Sequence, residues 1–289
     1  MDLKKLNVFL TVADLGNFTK AGEILGYTQS GITQMMKALE QEAGIPLFIK
    51  SHHGVTLTDE GLSLIPSIRS LLSANESLNQ EISFLKGAKR GMIKIASFTS
   101  CTIHWLPRII YSFQKEYPGI TFDIDEGNEQ EIADWLQSHK ADVGFTSFQK
   151  HQPYEFISVY EDPMLAVMPT GHPFAKHSEI PIEWLEDIPF IVSEYTHINE
   201  VHQLLKNHRV KPDIKYTMSN DFSILSMVEH GLGISILPEL IIKDRNYKFE
   251  ARPLAPHASR TLGIAAASYD ELSPAAKIFT KYARDCLLS

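Results

Sequence analysis

Cysteine is nearly absent from this chain of 289 residues: Cys101 and Cys286 are the only two. They form no CxxC pair and no zinc-type spacing, which excludes a disulfide framework and a cysteine metal site. In a reducing compartment both are expected to be free thiols. Long apolar runs are missing too. No stretch approaches the roughly 18 apolar residues of a membrane-spanning helix. The opening Met1-Asp-Leu-Lys-Lys5 runs into an amphipathic pattern and lacks the apolar centre and small-residue cleavage site of a signal peptide, so the expected location is the cytoplasm. Enzyme signatures are lacking as well: no nucleophile elbow and no P-loop. Gly231-Leu-Gly233 follows a helical pattern and lacks the third glycine of a dinucleotide fingerprint. His197 and His202 are five apart, a poor spacing for one helix face, and no carboxylate–histidine metal motif occurs. No catalytic residue, metal or cofactor is therefore expected. Positive charge is also scarce, 27 Lys and Arg against 35 Asp and Glu, net −8. That balance argues against a generic nucleic-acid binder, whose affinity rests on neutralised phosphates.

What is present begins with a 44% hydrophobic content and a length that favours two or three domains over one core. Residues 4–15 carry Leu6, Phe9, Leu10 and Ala13 on one helical face, closed by Gly16. Asn17 can cap a second helix, Phe18–Leu25, which Gly26 ends in the left-handed position. Thr28 can cap a third, from Gln29 to about Ala43, closed by Gly44. Ile32, Met36 and Leu39 form its apolar stripe. Its other face carries Gln29, Ser30, Thr33, Gln34 and Lys37, hydrogen-bonding side chains with the reach for base edges and phosphates in a major groove. Two β-prone runs, Ile45–Ile49 and Val55–Leu57, flank a His52-His53-Gly54 turn. The sum is a winged helix-turn-helix over residues 1–60, expected to touch DNA through Thr28, Gln29, Ser30, Thr33, Gln34, Lys37, Lys50 and His52. Residues 1–60 nevertheless hold five lysines against seven acids. Affinity must then come from local clusters, Lys4, Lys5, Lys20, Lys37 and Lys50 with the wing histidines, and from pairing two copies. Gly31, inside the recognition helix, costs about 1 kcal/mol relative to alanine; close approach to DNA and tolerated drift both account for it.

Thr58 can cap a long helix reaching about Lys86. Leu64, Ile68, Leu71, Asn75, Leu78, Ile82 and Leu85 recur at alternating spacings of four and three, an apolar heptad seam with one polar member. Its polar flanks, Ser70, Ser73, Glu76, Asn79, Gln80 and Glu81, favour a narrow dimer seam made of Ile68, Leu71, Asn75, Leu78, Ile82 and Leu85. Pro66 removes one backbone bond and is expected to kink or loosen the first turns. Gly87–Gly91 reads as a hinge. From residue 92 the pattern alternates. Strands are expected at 92–97, 120–125, 143–146, 156–160, 164–168, 190–192, 214–218, 234–237 and 262–267. Helices are expected at 101–116, 129–138, 197–208, 222–230 and 275–287. Such alternation implies an α/β fold with parallel sheets and crossover helices.

Val12-Ala-Asp-Leu-Gly-Asn-Phe-Thr-Lys-Ala21, Gln29-Ser30, Lys37-Ala-Leu-Glu40, Gly44, Pro46-Leu-Phe48 and Leu57-Thr-Asp-Glu-Gly61 resemble, in order and without a gap, the N-terminal signature of the LysR-type transcriptional regulators. Met227–Pro238 is similar to a recurrent stretch of that family's effector domain. The resemblance implies residues 61–88 as a dimer linker. It also implies residues 89–289 as a two-lobed, periplasmic-binding-protein-like effector domain. The crossings are expected near 161–164 and 266–268, giving lobe I at about 91–162 plus 267–289 and lobe II at about 163–266. The family usually has arginine where Lys50 stands, so wing contacts are expected to be weaker.

In such folds ligands sit beyond the carboxyl ends of strands. Those ends offer Thr99, Ser100, Cys101 and Thr102; Thr146, Ser147 and Phe148; Ser193 and Tyr195; and Ser219 with Asn220. The hydroxyl donors suit an organic anion, whereas Glu194 would oppose one and points to a zwitterion or another orientation. The expected function is a ligand-responsive regulator that binds a pseudo-palindromic operator in double-stranded DNA as a homodimer, paired into tetramers, away from any membrane. The alternatives are a cytoplasmic solute-binding protein without DNA function and a redox sensor using the Cys101 thiol, although the family's peroxide sensors use a cysteine in another segment.

Overall fold

A computed structural model describes every residue except 52, 53, 194–199 and 245, and leaves the side chains of 50, 51 and 200 undescribed. Three helices come first, α1 (Leu3–Leu15), α2 (Phe18–Leu25) and α3 (Gln29–Ala43), followed by the hairpin β1 (Phe48–Ser51) and β2 (Gly54–Leu57). Local chemistry accounts for each boundary. Asn17 accepts from the amides of Thr19 and Lys20, and Thr28 from that of Gly31. Gly16, Gly26 and Gly44 close the three helices at φ of 60°, 72° and 72°. Gly22 lets α2 lie against the turn, because a Cβ there would stand 2.6 Å from the Tyr27 carbonyl oxygen. Glu40 accepts from the amides of Leu47 and Phe48 and so fixes the entry to the wing. Leu6, Phe9, Val12, Ile32, Met36 and Leu39 fill the core.

Helix α4 (Asp59–Leu85), capped by Thr58, runs on through Pro66 without ending. Ile68 does not lie on an open seam: it is buried with Leu64, Ile65 and Leu72 against the N-terminal core. Gln80, expected on a solvated flank, is buried. Its amide nitrogen donates to the Met92 carbonyl and its oxygen accepts from the Ala275 amide.

The remainder is mixed α/β. Strands β3 (Gly91–Ser97), β4 (Ile120–Glu126) and β5 (Val143–Ser147) are mutually parallel. Between them lie α5 (Thr99–His104), α6 (Leu106–Glu116) and α7 (Glu129–Gln137). The single helix expected over 101–116 breaks at Trp105, just before Pro107, which cannot donate a backbone bond. The two strands expected at 156–160 and 164–168 are one, β6 (Glu155–Pro169). Beyond it come β7 (Ile180–Pro181), β8 (Pro189–Ser193), α8 (Glu200–His208), β9 (Asp213–Met218), α9 (Asp221–Glu229), β10 (Ser235–Pro238), α10 (Glu239–Ile242), β11 (Phe249–Ala255), β12 (Ser259–Ala266) and α11 (Pro274–Leu288).

Among the described residues the main sheet runs β4-β3-β5-β12-β6-β11-β7, with β10 also on β6. β6 therefore serves two lobes. Its first half pairs antiparallel with β12, its second with β10 and β11. β12 also pairs with β5, so residues 259–266 lie in lobe I and the returning crossing falls at 256–258, not at 266–268. There the Met164 amide bonds the Ala258 carbonyl at 2.8 Å, tying the two crossings together. Lobe I is built on one core centred on Ile95, Phe113, Phe145 and Phe279. Lobe II has one around Phe190 and Ile234 and another around Ile224 and Leu237.

Candidate DNA-reading helix and inter-lobe cleft

Packing decides which face of α3 is left over. Ile32, Met36 and Leu39 are buried, which turns Gln29, Ser30, Gln34 and Lys37 outward with Thr28 at the cap. Thr33 is half-buried; its hydroxyl donates to the Gln29 carbonyl and accepts from the Gln29 amide side chain at 3.3 Å. Thr28 and Ser30 share a hydrogen bond at 3.1 Å. Gly31 lies beside this pair, its amide donating to the Thr28 hydroxyl. The positive cluster is smaller than the sequence suggests. Lys5 and the N-terminal amine both pair with Glu42 and hold its carboxyl down at about 2. Lys4 stacks over the Tyr27 ring. Lys20 and Lys37 stay exposed. His52 and the Lys50 side chain lie outside the described residues.

The second site is a cleft between the lobes, with a volume of about 490 Å³. Lobe I contributes Phe98, Thr99 and Ser100 from the start of α5, the Glu126–Glu131 turn into α7, and Arg260. Lobe II contributes the ends of β8 and β9 and the start of α9, with Ser193, Ser219, Asn220 and Asp221. Of the residues predicted for a ligand, Thr99, Ser100, Ser193, Ser219 and Asn220 line this space, and Tyr195 lies outside the described residues. The others do not line it. Cys101 points into the lobe I core, fully buried, where loss of solvation pushes its thiol up to about 12. The thiolate a redox sensor needs is thereby suppressed, which removes that reading. Thr102 turns its hydroxyl back to the Phe98 carbonyl. Thr146 and Ser147 are buried in β5, with Ser147 donating to Glu129. Phe148 is exposed and packs edge-on against Phe156.

Arg260 was missed by sequence reasoning, yet it organises the cleft. Its Nε and Nη2 both bond the fully buried carboxylate of Asp162 at 2.9 Å, and Nη2 also donates to Ser100 at 3.1 Å. Its Cζ lies over the Phe98 ring, 5.4 Å from the centroid. Asp162 is anchored in turn by the Leu240 amide. Nη1 has no partner among the described residues and is the donor left for a guest. The one sequence signal was a lone arginine at the head of an apolar strand. The helix starts offer less. Asn128 caps α7 in a reciprocal box with Glu131, and Asn220 accepts from the amides of Phe222 and Ser223, so those amides are already used. Among the described residues no group of three or more His, Cys, Asp or Glu is arranged to hold a metal. No helix there is long and apolar enough to cross a membrane.

Two protein-family models match this chain: "Bacterial regulatory helix-turn-helix protein, lysR family" over residues 3–62, and "LysR substrate binding domain" over residues 86–287. The chain belongs to the LysR family. It is a DNA-binding transcriptional regulator with an effector-binding domain. An uncharacterized HTH-type transcriptional regulator of Bacillus subtilis, YvbU, is 30% identical over 288 residues, covering 99% of this chain and 98% of that protein. In fold, this LysR-family chain is similar to a full-length OxyR variant from Pseudomonas aeruginosa, with a TM-score of 0.73 at 23% identity over 99% of this chain and 94% of that one. It is also similar to the effector binding domain of QuiR in complex with shikimate, with a TM-score of 0.63 at 23% identity over 68% of this chain and 97% of that one.

Proposed function

We propose that α3 reads an operator in the major groove, that two copies pair through the outer half of α4, and that a small organic acid held in the cleft sets the regulator's output. One observation carries the DNA part. The core takes Ile32, Met36 and Leu39, and what remains facing solvent on α3 is an unbroken polar face from Thr28 to Lys37. Two such helices one turn of DNA apart would match a pseudo-palindromic site, and pairing of dimers into tetramers would extend it. For the effector, Nη1 of Arg260, which has no partner among the described residues, and the Ser100 hydroxyl beside it form a donor group suited to a carboxylate. QuiR's shikimate is itself a hydroxylated carboxylate. Binding is read as reversible and without turnover, in the cytoplasm. An effector changes DNA binding only by preferring one lobe arrangement over another.

The test is sequencing of genomic fragments captured by the full-length protein at near-physiological salt. A shared pseudo-palindrome is expected among the enriched fragments. Replacing Gln29 and Thr33 together with alanine should weaken operator binding by roughly 10- to 100-fold, given ~1–3 kcal/mol per base-reading pair, with dimers intact. Unchanged enrichment would move sequence reading off α3.

A further inference from the structure

The cleft walls are acidic. Among the described residues the lining carries four carboxylates, Glu126, Glu129, Glu131 and Asp221, against one cation, Arg260. The charge of Arg260 is already matched by Asp162, which is fully buried behind it. A ligand that is only an anion would therefore face an excess of negative charge in a partly dry space, where like charges are costly.

The carboxylates differ in how they are occupied. Glu131 is spent on the Asn128 amide, Glu129 takes the Ser147 hydroxyl, and Glu126 takes the Thr99 hydroxyl at 2.9 Å. Asp221 accepts no hydrogen bond and pairs with no cation within 4 Å among the described residues. It stands in the first turn of α9, where Asn220 already serves the free amides, so it is not needed as a cap. It is set deep in the wall, and burial raises its carboxyl above the usual range while the charge of Arg260 pulls it down. A deep carboxylate with no donor among the described residues, bordering a void, is a group suited to a partner supplied by a ligand. An ammonium group supplies three donors and a compensating charge.

We propose that the effector of this cleft is a zwitterion of amino-acid type, its carboxylate on Nη1 of Arg260 and its ammonium nitrogen on Asp221, with Glu126 adding negative charge at the rim. This rests on the reading of the cleft as the effector site and narrows it. An apolar side chain suits such a ligand, because Phe98, Phe190, Phe222, Ile191 and Ile241 supply an apolar part of the wall. A volume of about 490 Å³ accommodates an amino acid with a branched or aromatic side chain.

The test is calorimetric titration of the full-length protein with three matched sets of probes. The first is the protein amino acids, including L-leucine and L-phenylalanine. The second is their deaminated acids, such as 4-methylpentanoate and 3-phenylpropionate. The third is their decarboxylated amines, such as 3-methylbutylamine and 2-phenylethylamine. At least one amino acid is expected to bind ~10-fold or more tighter than its deaminated acid and its amine, since each charge-assisted contact is worth about that much. Asp221→Asn, which keeps the shape of the side chain, should weaken the amino acid by ~10-fold or more and leave the deaminated acid within about twofold. Glu126→Gln should act in the same direction and less. Deaminated acids that bind as tightly as the amino acids, and are lost in Arg260→Gln, would overturn the zwitterion while leaving the cleft as an acid-binding effector site. An amino acid that binds Asp221→Asn unchanged, or the failure of every amino acid to bind, would overturn the proposal outright. The operator experiment above then judges the regulator reading independently.

Discussion

The two halves of α4 share one heptad pattern and meet opposite surroundings. In the first half Gly61 and Ile68 are buried. Gly61 lies so close to the wing that a Cβ there would stand 2.5 Å from the Leu47 carbonyl oxygen. Leu64, Ile65 and Leu72 join the N-terminal core. Leu71, at the middle of the helix, is 51% exposed, and in the second half Leu78, Ile82 and Leu85 are 55%, 41% and 88% exposed, while the polar Gln80 is 2% exposed. An apolar stripe facing out and a polar group facing in invert the arrangement of a surface helix. Full burial of a large aliphatic side chain is worth roughly 1.5–3 kcal/mol, and this row of four forgoes about half of that or more at each position. The difference teaches that a heptad repeat reports a continuous apolar edge and not whose surface covers it. One stretch of the edge lies on the chain's own core, and the other stays exposed, where the proposed dimer would cover it.

The largest expected effect comes from breaking the open half. Leu78→Asp with Ile82→Asp should convert dimers to monomers and reduce operator affinity by more than ~100-fold, because each charge would be forced into the seam unpaired. Sedimentation velocity and operator titration read both. Dimers that persist would mean the exposed stripe is not the interface. Ile68→Ala probes the closed half. It should lower stability by about 2–4 kcal/mol through lost burial and a residual cavity, measured by urea unfolding, and leave the dimer dissociation constant within about threefold. A changed dimer constant with unchanged unfolding would return Ile68 to the seam and erase the contrast between the halves.

Gln80→Leu tests the inward polar face at a smaller expected cost. The substitution strands the buried Ala275 amide and takes a donor from the Met92 carbonyl, both served by this side chain. A loss of about 1–3 kcal/mol follows from unmet buried groups, seen as faster amide exchange at the starts of β3 and α11. Leucine there without cost would mean that the closeness of Gly91, not hydrogen bonding, holds α4 against lobe I.

What the sequence made legible follows the range of the interactions. Asn17, Thr28 and Thr58 cap within three residues, and Gly16, Gly26 and Gly44 act at one position each, so the helix boundaries of the N-terminal domain can be read directly. The strand ends also placed Thr99, Ser100, Ser193, Ser219 and Asn220 on the cleft wall. The misplacements come from long-range pairing. Joining β12 to β5 brings Leu262 opposite Ser147, more than a hundred residues earlier, and nothing local to either strand announces it. That pairing moves the lobe crossing and turns Arg260 into the cleft. It also leaves Thr146 and Ser147 in the interior of the sheet instead of at an open end. Cys101 and Thr102 were assigned by adjacency to Ser100. A helix rotates successive side chains by 100°, and α5 carries Cys101 into the core. Asp221 was overlooked because one acid after an asparagine cap resembles ordinary helix-start chemistry. That no donor among the described residues reaches it appears only once the lobes face each other.

The smallest expected effect concerns charge where the second half of α4 lies near lobe I. Asp142 accepts the Lys94 amide at 2.8 Å, and its carboxyl is raised above the usual range, chiefly by burial, with a further push from the negative charge of Glu76 on α4. A carboxyl raised on folding contributes stability that is fully present below its unfolded value near 4 and is lost as pH rises through the raised folded value. Glu76→Gln removes the push and keeps an oxygen that can accept from Gln80. The variant should therefore match the parent at the acid end, where the Asp142 carboxyl carries no charge for Glu76 to repel. It should gain a few tenths of a kcal/mol as pH rises toward 7, the scale of an exposed charge pair. Urea midpoints at pH 4, 5.5 and 7 measure this. A gain that is the same at all three would assign Glu76 a packing effect, and a loss growing with pH would mean that α4 holds lobe I through Glu76 itself and that the outer half of the helix is less open than its exposed seam implies.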